Sequence, residues 1–198
     1  MFEDVPYCDL NYDNCPTDPN RASLERAPWV YQRSFSKSLA PGLRLGYLAC
    51  SLDLIPYLVR LKQASDLHSN RLSQWIVLQQ LNDPSNPQRI TKLVDRYREK
   101  RARFEHTLLR YFSELATWGS PSGGLFFWMV LNSTQAIDTT SLLSIALERG
   151  VAFMPGEPFF IDAKSRPSAL RLNFSHAGAA DVERRIAILA ELVEAQII

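Results

Sequence analysis

Ser34-Phe35-Ser36-Lys37-Ser38-Leu39-Ala40-Pro41-Gly42-Leu43-Arg44-Leu45-Gly46-Tyr47 is the stretch on which the reading of this chain turns. The segment leading into it, Trp29 to Ser36, has aromatic and β-branched residues in its first half and predicts a strand. Lys37 to Gly42 leaves that strand through a Pro-Gly turn, and Leu43 to Cys50 predicts a second short strand. A lysine is thereby placed at a strand end. There its amine can be desolvated, lowered in pKa and made nucleophilic towards carbonyls. The hydroxyls of Ser34 and Ser36 and the guanidinium of Arg44 are the donors that hold a dianionic phosphate. The turn lets the chain double back so that Arg44 reaches the same anion. The plain alternative is a surface lysine after a strand and an arginine in an ion pair. Spacing alone favours the plain alternative.

Outward from this stretch, the pattern is helical and interrupted from about Leu54 to Leu81, and Asp83 to Pro87 is a loop. A long amphipathic helix follows, with Leu93, Tyr97, Phe104, Leu108, Phe112 and Leu115 at helical spacings. Leu125 to Leu131 is a continuous apolar strand, Ser141 to Arg149 a helix ended by Gly150, and Val151 to Met154 a strand. Ala169 to Ser175 alternates: Leu170, Leu172 and Phe174 on one face, Arg171, Asn173 and Ser175 on the other. A last helix buries Val182, Ile186, Leu189 and Val193. The mixture predicts an α/β first part and an α+β second part, divided at 1–90 and 91–198.

The 198 residues carry a net charge of +1, with no basic run and no acidic tail, so no electrostatic nucleic-acid footprint or membrane-surface patch is expected. No apolar stretch approaches the length of a membrane span, and MFEDVPY, without a basic region followed by an apolar one, is not expected to act as a signal peptide. Cys8, Cys15 and Cys50 are odd in number and without a CxxC, and His68, His106 and His176 are scattered. Neither a disulfide framework nor a metal site is expected. The reading is a reduced, cytoplasmic protein.

The run from Ser34 to Gly46 resembles the lysine signature of class I/II aminotransferases of fold type I, S-x-S-K-x-x-x-P-G-x-R-x-G, and matches it throughout. The resemblance implies that pyridoxal 5′-phosphate (PLP) is bound covalently by Lys37, which also shuttles a proton, and that Ser34, Ser36 and Arg44 bind the cofactor phosphate. Upstream, Asp4-Val5-Pro6-Tyr7 resembles the family's D-x-x-Y. Read alone, the pattern is weak, and its plain reading is a turn acid beside a packed tyrosine. By resemblance, Asp4 pairs with the protonated pyridine nitrogen and Tyr7 hydrogen-bonds the ring's phenolic oxygen. The text around it, Glu3 to Leu10, is similar to the branch of 2-aminoadipate and kynurenine aminotransferases, shared with regulator-fused aminotransferase-like domains. Leu170-Arg171-Leu172-Asn173-Phe174-Ser175 resembles the segment whose arginine grips the substrate α-carboxylate; without that context Arg171 is an exposed strand arginine. Gly123 to Trp128 and Val151 to Gly156 also resemble family segments and are read as scaffold and pocket wall.

The resemblance covers nearly the whole chain, in order, and corresponds to the C-terminal half of the family fold. It implies part of a large PLP-binding domain with a mainly parallel sheet, then a smaller C-terminal domain. It also implies a homodimer that acts on an amino acid and a 2-oxo acid. The family's N-terminal half supplies a phosphate-cradling loop, a ring stacked on the pyridine and an asparagine, none found here. The expectation is therefore a truncated, mis-started or degenerate product that binds cofactor weakly and turns over slowly. Two other readings stand beside transamination. One is the effector domain of a winged-helix transcription regulator, and the other is an inactive fragment.

Overall fold

The structure is a computed structural model. It describes residues 1–13, 18–20, 27–133, 136–162, 166–176 and 178–197. Cys15 and part of the loop at 11–20 lie outside the described residues. The architecture is α/β, and the chain divides into two compact units: Met1–Asp95 with Ser122–Gly124, and Arg96–Pro121 with Leu125–Ile198.

In the first unit, β1 (Phe2–Asp4), β2 (Val30–Ser34) and β3 (Gly46–Cys50) form a sheet in that order. β1 runs parallel to β2, with Asp4 beside Gln32, and β2 runs antiparallel to β3, with Ser34 beside Gly46. The sheet is mixed rather than mainly parallel. The short Pro-Gly connection after Lys37 cannot make the crossover that a parallel neighbour needs, so β3 returns antiparallel. The helical stretch beyond is two helices, α1 (Ile55–Asp66) and α2 (Arg71–Asn82). They are separated by Leu67, whose φ of 59° breaks the helix, and Asn70, whose side chain accepts from Ser73 N at 3.1 Å as the N-cap of α2. The core of this unit is thin. Leu10, Tyr12, Tyr31 and Val77 are buried, but α1 buries nothing. Leu52 (83% exposed), Leu61 and Trp75 stand in solvent.

The helix α3 (Asn86–Phe112) gives its first part to this unit and the rest to the second. The second unit adds β4 (Ala116–Trp118), β5 (Phe126–Leu131), α4 (Thr139–Glu148), β6 (Met154–Pro155), β7 (Ala169–Asn173) and α5 (Ala179–Ile197). Its antiparallel sheet has the order β4-β5-β7-β6. Alternation along β5 and β7 buries Phe127, Met129, Leu170 and Leu172 against Phe104, Leu108 and Phe112 of α3 and the expected stripe of α5. Phe127 stacks on Phe104 at 5.5 Å and meets Phe174 edge-on at 5.6 Å. The strand expected over Val151 to Met154 is confined to Met154–Pro155, the two residues that pair with Arg171 and Leu170 of β7.

Candidate functional site

Lys37 sits not at the end of β2 but in a single helical turn three residues beyond it. Phe35 N donates to Leu45 O (3.1 Å), closing the β2–β3 connection, and Phe35 O accepts from Leu39 N (2.9 Å) and Ala40 N (3.2 Å). The turn is tied at both ends. Ser34 Oγ accepts from Ser36 N at 3.1 Å. The buried Ser38 offers its carbonyl to Arg89 of α3, which donates at 2.6 Å while Asn86 Oδ1 accepts from its other nitrogens at 3.2 and 2.9 Å. Gly46 is required here: a Cβ would stand 2.5 Å from the Arg33 carbonyl oxygen.

Tyr7 opens a turn closed by Leu10 N donating to Tyr7 O at 2.8 Å. The Lys37 Nζ lies over the Tyr7 ring, 5.8 Å from its centroid. An ion pair between Arg33 and Asp9 fastens the Tyr7 turn to the strand that leads to Lys37. Burial alone would lower the Arg33 pKa. Asp9, the Cys8 sulfur and the Tyr47 hydroxyl more than reverse this and hold it above the ordinary guanidinium value. The Cys8 thiol is pushed up by burial, with Arg33 opposing. On the other side of the turn, Gly124 (φ 77°) lies against Tyr7, its N donating to Leu10 O at 2.9 Å. Gly123 comes so close to Leu10 that a Cβ would be 2.8 Å from the Leu10 carbonyl oxygen.

Topology places the other expected residues. Asp4 ends β1 and Ser34 ends the parallel β2, so both stand at the carboxyl edge of the sheet. Arg44 precedes the antiparallel β3, whose first residue pairs with Ser34, so it arrives at the same edge. Arg44 has φ 49° and ψ 42°, a conformation uncommon for a side-chain-bearing residue, and its Nη1 donates to Pro41 O at 3.3 Å. Ser34, Ser36 and Arg44 line one cavity of about 1130 Å³, whose walls continue along β3, α1 and α2. Asp4, Tyr7 and Lys37 are not among its lining residues.

Arg171 belongs to the second unit. It is centred in β7, opposite Trp128 of β5 and Met154 of β6. Its guanidinium carbon lies 4.4 Å from the Phe126 ring centroid and 4.8 Å from that of Phe159. Its Nε is buried and has no hydrogen-bond partner. Sequence reasoning took Phe126 as scaffold and did not single out Arg33, Asp9, Arg89 or Phe159. Among the described residues, no group of His, Cys, Asp or Glu could hold a metal ion, and no helix is long and apolar enough to cross a membrane.

The family profile described as aminotransferase class I and II matches residues 1–189. The chain belongs to the class I and II aminotransferases. Among its curated relatives, the aromatic-amino-acid aminotransferase 1 of Thermococcus litoralis is 33% identical over 194 residues, covering 98% of this chain and 46% of that one. An uncharacterised HTH-type transcriptional regulator of Bacillus subtilis is 31% identical over 191 residues, 96% of this chain and 38% of that one. Among solved structures, the Pyrococcus horikoshii kynurenine aminotransferase superposes with a TM-score of 0.90 at 28% identity, over 100% of this chain and 48% of that one. This aminotransferase-family chain thus spans about half the length of the curated relatives it matches or less.

Proposed function

We propose that this chain carries the lysine, the phosphate donors and the substrate arginine of a PLP-dependent aminotransferase that exchanges an amino group between an amino acid and a 2-oxo acid. The observation that carries the reading is Lys37 over Tyr7, at the sheet edge where Asp4, Ser34 and Arg44 arrive. The donor set fits PLP. It offers an amine for the aldehyde, two hydroxyls and a guanidinium for the phosphate, a carboxylate for the ring nitrogen and a phenol for the ring oxygen. When bound, the cofactor supplies an electron sink for charge that develops at the substrate α-carbon. Ser34, Ser36 and Arg44 would hold its phosphate, Asp4 would keep its ring nitrogen protonated, and Tyr7 would orient the ring. Lys37 Nζ would be the amine that bears the cofactor and, when free, the base that takes and returns a proton at the substrate α-carbon. Arg171 grips the substrate carboxylate in two-pronged fashion.

In this reading, residues 1–90 are the later part of a PLP-transferase large domain, residues 91–198 are the small α+β domain, and the working form is a cytoplasmic homodimer. The likeness to the B. subtilis regulator favours a second reading, a PLP-binding effector domain without turnover. The test is 2-oxo acid formation from a panel of amino acids, with PLP and an acceptor 2-oxo acid present. Transamination is slow but measurable above the Lys37→Ala variant under the first reading. Cofactor binding with no turnover at all supports the second.

A further inference from the structure

We propose that Phe126 and Phe159 are positioning residues that set the plane of the Arg171 guanidinium and so decide how tightly a carboxylate is gripped. This rests on the reading of Arg171 as the carboxylate arginine. A half-buried guanidinium is ordinarily met by an acid, because an unpaired charge taken out of water is costly. Arg171 has no ion pair among the described residues. It lies instead over two aromatic rings, at 4.4 Å and 4.8 Å, and its buried Nε has no acceptor. Ring faces attract a cation but offer no in-plane lone pair to its N–H groups. The donors are thus fixed in direction and left open along the guanidinium edge, the geometry that a planar carboxylate satisfies with two parallel bonds.

The rings are themselves held. Phe159 closes the short turn Glu157–Phe159, and the Glu157 carboxylate accepts from Thr139 N at 2.9 Å and from the Thr139 hydroxyl, pinning that turn to the start of α4. Gly156 N donates to Ala169 O at 2.8 Å, and a Cβ on Gly156 would come within 2.6 Å of that oxygen, so the turn is pressed against β7. Trp128 stands edge-on to Phe159, with centroids 5.5 Å apart and planes at 83°. Phe126 projects from β5, the strand paired with β7. A side chain that would otherwise sample many rotamers is therefore set before the ligand arrives, which raises affinity by lowering the ordering cost.

The test uses the whole chain and pyruvate as the probe, with binding followed by the Arg171 Nε–H resonance in NMR titration. Phe126→Leu and Phe159→Leu each weaken pyruvate binding about tenfold and broaden or shift that resonance in the free protein. Phe126→Tyr and Phe159→Tyr, which keep the ring face, bind within about twofold of the unaltered chain. Phe159 is 48% exposed, so its leucine variant leaves the core untouched. Leucine variants that bind as the unaltered chain does, while Arg171→Ala abolishes binding, overturn the positioning role and leave the carboxylate reading standing. Arg171→Ala that does not differ from the unaltered chain overturns that reading, and this proposal with it.

Discussion

The amine of Lys37 lies over the ring of Tyr7, 5.8 Å from its centroid, although the two belong to different turns at the edge of one sheet. The Arg33–Asp9 ion pair ties the Tyr7 turn to β2, and the Arg89 bond to the Ser38 carbonyl ties the Lys37 turn to α3. A lysine held this way has little of the freedom of a surface lysine, and it meets its partner without a large ordering cost.

That arrangement depends on how closely β2 and β3 approach. Gly46→Ala places a Cβ 2.5 Å from the Arg33 carbonyl oxygen, a backbone atom that cannot swing aside. The variant loses about 1–3 kcal/mol in urea unfolding. Its Lys37 also reacts more like the other lysines in a competitive acylation assay. Unchanged stability would show that the hairpin relaxes freely.

The second unit owes its stability to the Phe104, Phe127 and Phe174 cluster. Phe127 is fully buried, and Phe127→Ala removes the ring from both partners. The expected loss is about 3–5 kcal/mol, measured by urea unfolding. A loss below about 1 kcal/mol would mean that the neighbouring rings collapse into the space.

The first unit exposes Leu52, Leu61, Leu67, Leu72 and Trp75 on and around α1 and α2. Large apolar side chains left in solvent bind hydrophobic dyes and promote association. Leu61→Glu combined with Trp75→Gln lowers dye fluorescence and light scattering without lowering the melting temperature, since neither side chain is buried. A marked drop in melting temperature would show that these residues are packed in solution.

Helix α4 carries a pH-dependent contribution. Asp138 caps it, and the Ser141 hydroxyl and N–H hold the Asp138 carboxyl below the usual carboxylate range. The folded value lies below the unfolded one. The stabilisation is therefore full above the unfolded pKa and is lost as pH falls through the folded value. The stability difference between the unaltered chain and Asp138→Asn shrinks on acidification, as followed by urea unfolding across pH. A difference that stays constant into strong acid contradicts the assignment.

Much of this was legible in the residues. Aromatic and β-branched residues announced β2, the Pro-Gly pair the turn after Lys37 and the apolar alternation β7, while the 3.6-residue spacing announced α3 and the buried stripe of α5. Short elements were not legible. β4 is three residues long, too few for a period to register, and it follows directly on a helical pattern. Lys37 was placed at a strand end because composition does not reveal that Phe35 O would close a helical turn. The clasps by Arg33, Asp9 and Arg89 join residues far apart in sequence, and no local pattern marks them. Phe126 read as scaffold because aromatic residues in apolar strands usually are; its contact with Arg171 depends on the register of β5 with β7.

The role of Lys37 as the cofactor-bearing lysine can be checked by adding PLP at low stoichiometry, reducing with borohydride and mapping the modified peptides by mass spectrometry. The label is expected on Lys37 in preference to Lys62, Lys92 and Lys100, and Ser34→Ala, Ser36→Ala and Arg44→Ala should each diminish this preference. A label spread evenly over the exposed lysines, or one on Lys37 that is indifferent to those three substitutions, would contradict it.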